Sequence, residues 1–171
     1  METTKQKNWS MADISAKNVT RRVAIAAGAI RVGRDAFELI RDGGMPKGDP
    51  IAMAEIAGIQ AAKQTPSLIP LCHPISLNRV MIHSVLRPED YAVELFCVAE
   101  IAEKTGVEME ALTGLSVALL TIWDLSKPVN PALEITGQRL VYKCGGKKGT
   151  WVHPDGVPAE VEEILREMEL M

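Results

Sequence analysis

The sequence predicts an α+β fold, in which a ferredoxin-like antiparallel sheet carries helices packed on one face, with one extra helix. Its 171 residues, of which 47% are hydrophobic and 24% charged, suit one soluble domain with a single core. The hydrophobic periods along the chain give the order β-α-α-β-β-α-β, which is the β-α-β-β-α-β pattern plus one helix. No internal repeat or low-complexity block suggests another architecture.

The first half of the chain predicts one strand followed by two helices. Residues 22–32 are apolar and partly alternating, as in a strand. Residues 34–42 place apolar side chains on one face before two glycines end a short helix. Asp49 as N-cap and Pro50 at the first helical position open an alanine-rich helix that runs to about Lys63.

A hairpin and a closing strand complete the predicted sheet. Residues 79–86 and 91–101 are separated by Arg-Pro-Glu-Asp, which is a good turn, and alternate residues of the second stretch are apolar. Residues 133–142 predict the last strand, which is followed by a glycine-rich loop over residues 144–149.

The best-defined helix covers residues 105–127. Thr105 and Glu108 fit a capping box at its start, and Pro128 discourages its continuation. The middle of this helix is apolar nearly all round, so we expect it to be buried on most sides, partly by another subunit.

Composition disfavours a membrane span, an exported protein and a disulfide framework. The longest apolar-dominated stretch, residues 111–125, is shorter than a span of about 20 residues. Residues 1–10 lack the apolar run of a secretory signal, so the expected location is the cytoplasm. Cys72, Cys97 and Cys144 form no C-x-x-C pair, which indicates reduced thiols and no zinc finger.

The charge balance indicates no nucleic-acid partner. The tail from Asp155 holds six acids against one base, so residues 1–154 carry 18 bases and 16 acids. That excess is mild, and the aromatic content of 4% leaves few platforms for stacking bases.

Charged residues at both ends of the predicted helix over residues 105–127 are candidates for chemistry. Asp124 and Lys127 are three residues apart, so each can hold the other in a defined protonation state, with a surface ion pair as the alternative. Glu110 lies 14 residues before Asp124, which is about 21 Å along a helix. If both ends contribute, the site is long or assembled from two subunits, and we favour two subunits.

A cysteine and a histidine lie between two prolines in residues 70–74. The prolines restrict the backbone, so His73 is a candidate for binding substrate or handling protons, with a structural histidine as the alternative. Neighbouring side chains of an extended segment face opposite ways, which disfavours a hydrolase that pairs Cys72 as nucleophile with His73.

The loop over residues 143–149 joins three lysines to three glycines. Backbone N–H groups and ammonium groups in such a loop can gather around phosphate, although the segment does not match a P-loop and could be a solvated turn. Lys47, which precedes a helix N-terminus, and Arg22 could add further cations. Together these groups indicate a polyphosphate ligand.

Five segments resemble, in order and in spacing, the cyclic pyranopterin monophosphate synthase family of molybdenum cofactor biosynthesis, the accessory protein C family. They are Lys47-Gly48-Asp49, AGIQAAK at residues 57–63, LIPLCHP at residues 68–74, KTGVEMEALT at residues 104–113 and DLSK at residues 124–127. The likeness spans about residues 13–149. Ser126 and Pro128 depart from it, since many relatives have Cys and a small residue there.

The resemblance implies a lyase that assembles as a homohexamer, a trimer of dimers, with active sites at dimer interfaces. Its nucleotide substrate would be (8S)-3′,8-cyclo-7,8-dihydroguanosine 5′-triphosphate, which a radical-SAM enzyme supplies. Its products would be cyclic pyranopterin monophosphate and pyrophosphate. We expect no cofactor and no bound metal ion. A non-catalytic nucleotide-binding scaffold on the same fold is the alternative.

The resemblance also implies residue roles and regions. Asp124 and Lys127 match the catalytic pair, and Lys47 matches a further functional lysine. The matched substrate-binding positions are Leu71, Cys72, His73, Met109, Glu110, Glu108, Arg22, Lys63, Lys143 and Lys147. We expect a flexible arm over residues 1–12, a single catalytic domain over residues 13–153, and an acidic helical tail over residues 154–171 that could pack on a neighbouring subunit.

Overall fold

The computed structural model describes residues 9–171, so most of the predicted N-terminal arm, residues 1–8, lies outside the described part. The strands are β1 (Thr20–Arg31), β2 (Arg79–Arg87), β3 (Ala92–Glu103), β4 (Glu134–Cys144) and β5 (Trp151–Val152). The helices are α1 (Arg34–Arg41), α2 (Pro50–Lys63), α3 (Thr65–Leu68), α4 (Glu108–Ser126) and α5 (Ala159–Glu167).

The strands form one antiparallel sheet in the order β2-β3-β1-β4-β5. The central strand β1 pairs with β3 from Thr20 opposite Glu103 to Arg31 opposite Ala92. The first four strands have the ferredoxin-like order, so the predicted fold class is confirmed. The short elements α3 and β5 are additions that the sequence pattern did not predict.

Helices α2 and α4 pack on one face of the sheet and bury the larger core. Asp49 caps α2 as predicted, since its Oδ1 accepts from the backbone N–H of Ile51 at 2.9 Å and of Ala52 at 3.2 Å. Gly58 of α2 lies against Gly114 of α4, where a Cβ on either residue would come within 3.0 Å of the other's carbonyl oxygen. The paired glycines therefore let the two helices approach closely.

The predicted capping box at the start of α4 is wrong. The helix begins at Glu108 with Val107 as its N-cap, and no side chain caps it. Glu108 is thus the first helical residue, and its carboxylate accepts from Lys143 of β4 instead of reaching back to the chain before the helix. Glu108 was predicted from local spacing to pair with Thr105, but in the structure it pairs with Lys143 on strand β4.

By length and composition alone, α4 could cross a membrane. Half of its most apolar 18-residue stretch is buried inside the fold. Leu115, Leu119 and Ile122 are fully buried against the sheet. Such a helix is equally typical of a protein core, and its packing here accounts for its apolar sequence.

Helix α5 covers the opposite face of the sheet, so the acidic tail packs on its own chain. Val161, Ile164, Leu165 and Met168 form a second core with apolar side chains of β1, β3 and β4. The apolar side chains on this second face of the strands provide the partner that α5 needs. The prediction of helical spacing in the tail is confirmed, while the expected neighbouring subunit is replaced by the chain's own sheet.

Candidate active site

The C-terminal end of α4 carries a carboxylate held by two lysines. Asp124 Oδ1 lies 2.7 Å from Lys127 Nζ, and Asp124 Oδ2 accepts from Lys47 Nζ at 3.2 Å. Lys47 lies in the turn before α2, and its ammonium also donates to the Asp124 backbone carbonyl at 3.3 Å. Hydrogen bonds from Lys127 and then Lys47 lower the pKa of Asp124, so this group is a carboxylate between two cations.

These three side chains are partly open to solvent, with 44–55% of each exposed. An ion pair this exposed contributes little to stability. A cluster of one acid and two bases that does little for the fold can still bind an anionic ligand or transfer protons.

The N-terminal end of α4 borders a cavity of about 480 Å³ that is rich in cations. Arg22, Lys143, Lys147 and Lys148 line it together with Glu108. Arg22 is held in place because its guanidinium donates to the backbone carbonyls of Glu103 at 3.0 Å and of Lys104 at 3.3 Å. A cavity with several fixed positive charges fits a polyphosphate.

Two glycines let the β4–β5 loop form one wall of this cavity. Gly145 and Gly146 have φ angles of 92° and 70°, which favour glycine. A Cβ on Gly145 would collide with the backbone carbonyl of Arg21, and a Cβ on Gly146 would collide with the Arg22 guanidinium. The loop therefore packs directly on the start of β1, and its lysines lie beside Arg22.

A second cavity of about 240 Å³ adjoins the first and shares Gly106 and Glu108 with it. The other predicted substrate-binding residues that line it are Leu71, Cys72, His73, Met109 and Glu110. The structure thus brings nine of the predicted site residues to one end of α4. Lys63 is not among the residues lining either cavity, but it ends α2, which runs antiparallel to α4, and so lies toward the same end.

The pKa values of Glu108 and Glu110 are shifted in opposite directions. Burial raises the pKa of Glu108, but the hydrogen bond from Lys143 and the nearby charges of Lys143 and Arg22 outweigh it, so the pKa is lowered. Burial and the negative charge of Glu108 raise the pKa of Glu110. Two carboxyl groups with pKa values pushed apart are typical of sites that need one acid and one base.

Cys72 and Cys97 are poor nucleophiles. Burial, and then the negative charge of Glu110, raises the pKa of Cys72, which keeps its sulfur as a thiol. Burial raises the pKa of Cys97 to about 12. Within residues 9–171, no group of three or more His, Cys, Asp or Glu side chains is placed to hold a metal ion.

The Asp124–Lys127 pair and the two glutamates, Glu108 and Glu110, lie at opposite ends of α4 and do not meet within one chain. Glu110 and Asp124 are separated by 14 residues of continuous helix, or about 21 Å along its axis. The structure therefore contains two half-sites: the Asp124 cluster, formed by Lys47, Asp124 and Lys127, and the joined cavity at the other end, which holds Glu108 and Glu110.

Sequence reasoning missed some of the cavity wall. Asn18 and Thr20 line the larger cavity beside Arg22 and were not predicted as site residues. Thr20 and Arg22 are two residues apart in β1 and so share a face of the strand, which is the signal that could have placed Thr20 there.

Comparison with known proteins gives one consistent result. The sequence model of the MoaC family matches residues 11–146. The chain is 47% identical over 145 residues to the cyclic pyranopterin monophosphate synthase of Heliobacterium modesticaldum, covering 85% of this chain and 91% of that protein. It is 49% identical over 141 residues to the Streptomyces avermitilis protein of the same name, covering 82% of each. For the one from Rhodospirillum rubrum the identity is 43% over 144 residues, covering 84% and 87%. The family match ends before β5 and α5.

Proposed function

The chain belongs to the MoaC family, and on that premise we propose that it is a cyclic pyranopterin monophosphate synthase. It converts (8S)-3′,8-cyclo-7,8-dihydroguanosine 5′-triphosphate to cyclic pyranopterin monophosphate and pyrophosphate, an early step of molybdenum cofactor biosynthesis. The observation that supports this assignment best is the cavity lined by cations beside two carboxyl groups, Glu108 and Glu110, whose pKa values are shifted in opposite directions.

The larger cavity is the proposed binding site of the triphosphate. Arg22, Lys143 and Lys147 lie where they can neutralise its charge and the charge that develops as pyrophosphate leaves. The adjoining cavity, with His73, Met109 and Glu110, then receives the purine-derived part of the substrate. Leu71 and Cys72 complete its wall, and Lys63 approaches from the end of α2.

The Asp124 cluster is the proposed proton-transfer group. Lys127, held by Asp124, acts as a general acid or base while the ring is opened and rebuilt, and Lys47 assists. Asp124 stays ionised because both ammonium groups stabilise its charge. It therefore orients Lys127 instead of competing with it for the proton.

A second subunit is needed to bring this cluster to the joined cavity of its neighbour. Helices α2 and α4 leave apolar side chains exposed on their outer faces, with Ile56 70% and Leu120 56% exposed. Such side chains favour burial against another copy of the chain. We therefore propose composite sites at dimer interfaces of a homohexamer, which works in the cytoplasm downstream of a radical-SAM enzyme.

Turnover of the cyclic nucleotide tests this proposal. The purified chain should release pyrophosphate from it, and Lys127→Ala should lower that rate by about 10²- to 10⁴-fold because a general acid–base group is lost. Arg166→Ala, on α5 across the sheet, is the control and should keep the wild-type rate. A folded Lys127→Ala variant with wild-type turnover would remove Lys127 from this role, and binding without release by the wild type would favour a scaffold.

A further inference from the structure

Residues 12–18, here called the strap, contribute to the lining of both cavities. Ala12 lines the smaller cavity, while Lys17 and Asn18 line the larger one. Between these ends the chain makes a tight turn, in which the N–H of Lys17 donates to the Ile14 carbonyl at 3.1 Å. One continuous segment thus forms part of the wall of the whole joined cavity.

Two side chains from the body of the protein hold the strap. His73 Nε2 lies 2.8 Å from the carbonyl oxygen of Ala12, and Lys104 Nζ donates to the Ser15 carbonyl at 3.2 Å. Most of the strap is exposed, with only Ile14 partly buried. A segment with so little buried apolar surface opens at low free-energy cost compared with the sheet beneath it.

The contact between His73 and Ala12 defines where the imidazole carries its proton. A backbone carbonyl can only accept a hydrogen bond, so Nε2 must be the donor. In the neutral ring the other nitrogen, Nδ1, then has a free lone pair and is an acceptor. His73 lines the cavity that holds Glu110, so its tautomer decides whether the ring offers a donor or an acceptor there.

We propose that the strap is a positioning element of the site: it closes over the joined cavity and, through the Ala12 carbonyl, holds His73 with its proton on Nε2 and Nδ1 as the free acceptor. Lys104 is the second anchor, because it binds the middle of the strap without lining either cavity. The effect of the strap on catalysis rests on the proposed function, whereas its effect on His73 does not.

The state of His73 can be observed directly, because the chain has only three histidines. Long-range ¹H–¹⁵N NMR spectra of the full chain, assigned with His83→Gln and His153→Gln, should show His73 protonated on Nε2 with a proton protected from exchange. Deleting residues 1–12 should remove this protected signal, while the control deletion of residues 1–8 should leave it. A proton on Nδ1, or an unchanged His73 signal after deletion of residues 1–12, would overturn the proposal.

Lys104→Met tests closure without shortening the chain. Methionine is unbranched and one atom shorter than lysine, and it cannot donate to the Ser15 carbonyl, so trypsin should cleave faster after Lys17 than in the wild type. We also expect kcat/KM to fall by roughly tenfold, because a binding group displaced from its productive position slows turnover even when the change lies away from the reacting atoms. Unchanged cleavage after Lys17 would contradict strap closure. If deletion of residues 1–12 removes the protected His73 signal but the full chain never turns over the nucleotide, the strap is supported and the proposed function is contradicted.

Discussion

Glu108 and Glu110 show how neighbouring residues acquire different chemistry from their surroundings. Glu108 starts α4 and reaches Lys143, whose Nζ lies 2.7 Å from its carboxylate, while Glu110 is 3% exposed. Burial acts on both groups, and the nearby positive charge reverses its effect on Glu108 alone. A charged acid and a more readily protonated acid therefore lie side by side in the proposed site.

The two glutamates should have opposite effects on the pH dependence of stability. The lowered pKa of Glu108 gives stability that is present above its ordinary pKa and lost as pH falls through the folded-state pKa. Glu108→Gln should therefore be less stable than the wild type near pH 7, and the difference should shrink as the pH falls below the ordinary pKa of a glutamate. The raised pKa of Glu110 disfavours its ionised form, so Glu110→Gln should gain stability relative to the wild type above the ordinary pKa.

Urea denaturation of the two variants at a series of pH values measures these differences. Glu162→Gln, at a position of α5 whose side chain is 43% exposed, is the matched control and should show a smaller dependence. Parallel curves for Glu108→Gln and Glu110→Gln would contradict the opposite environments assigned to them.

At the residue scale, the sequence predicted which residues lie near one another better than it predicted their local contacts. The pair of Asp124 with Lys127 follows from helical spacing, and the structure shows the contact. The role of Glu108 in a capping box was wrong, because Lys143 comes from a strand 35 residues away and local spacing carries no information on it. The pKa of Glu110 likewise depends on burial that only the assembled fold supplies.

At the element scale, the packing of α2 on α4 depends on two glycines, Gly58 and Gly114. A Cβ on Gly114 would lie 2.9 Å from Cys97 Sγ and 3.0 Å from the Gly58 carbonyl oxygen, and neither is the far end of a flexible chain. The two helices join the Asp124 cluster to the cavity end of the molecule, so their spacing sets the geometry of both half-sites.

Gly114→Ala should destabilise the protein although alanine is the better helix former. The propensity gain is about 1 kcal/mol, while overpacking a tight contact usually costs about 1–3 kcal/mol. Ala52→Gly, at an exposed position of α2, should lose only the propensity difference of about 1 kcal/mol. Chemical denaturation of both variants checks this, and a Gly114→Ala protein more stable than the wild type would show that the helices can separate freely.

Helix α5 stabilises the sheet from the side opposite the site. Leu165 is 2% exposed in the second core, so Leu165→Ala should lower the free energy of unfolding by about 2–5 kcal/mol. At a temperature where the variant remains folded, turnover should equal that of the wild type, because neither cavity contains Leu165. Thermal denaturation and a kinetic assay on one preparation test both statements, and lost turnover in a folded variant would connect α5 to the site.

The long elements were predictable and the short ones were not. Every strand and helix of the ferredoxin-like order lies close to its predicted bounds, because each is long enough to show a hydrophobic period. Elements α3 and β5, with four and two residues, are too short to show one. The period of the tail predicted the apolar face of α5 but not which sheet it would cover, since both faces of β1 and β3 are apolar.

The whole molecule is organised by the length of α4. One helix carries the Asp124 cluster at one end and Glu110 at the other, about 21 Å away, so a single chain holds both halves of the proposed site without joining them. Exposed Ile56 and Leu120 lie on the outer faces of the same helix pair. We therefore propose that two subunits complete each active site.

Mixing two inactive variants tests that claim most directly. Lys127→Ala and Glu110→Gln, each inactive alone, are co-expressed in equal amounts with different tags, and assemblies that carry both tags are assayed for pyrophosphate release. If sites are shared, one of the two sites in each mixed dimer combines the intact half-sites of the two variants. Half of the dimers in a randomly assembled hexamer are mixed, so hexamers that carry both tags should regain about a quarter of wild-type activity, and isolated mixed dimers about half. Mixed assemblies as inactive as their parents would show that both residues must act from the same chain, and would contradict the account.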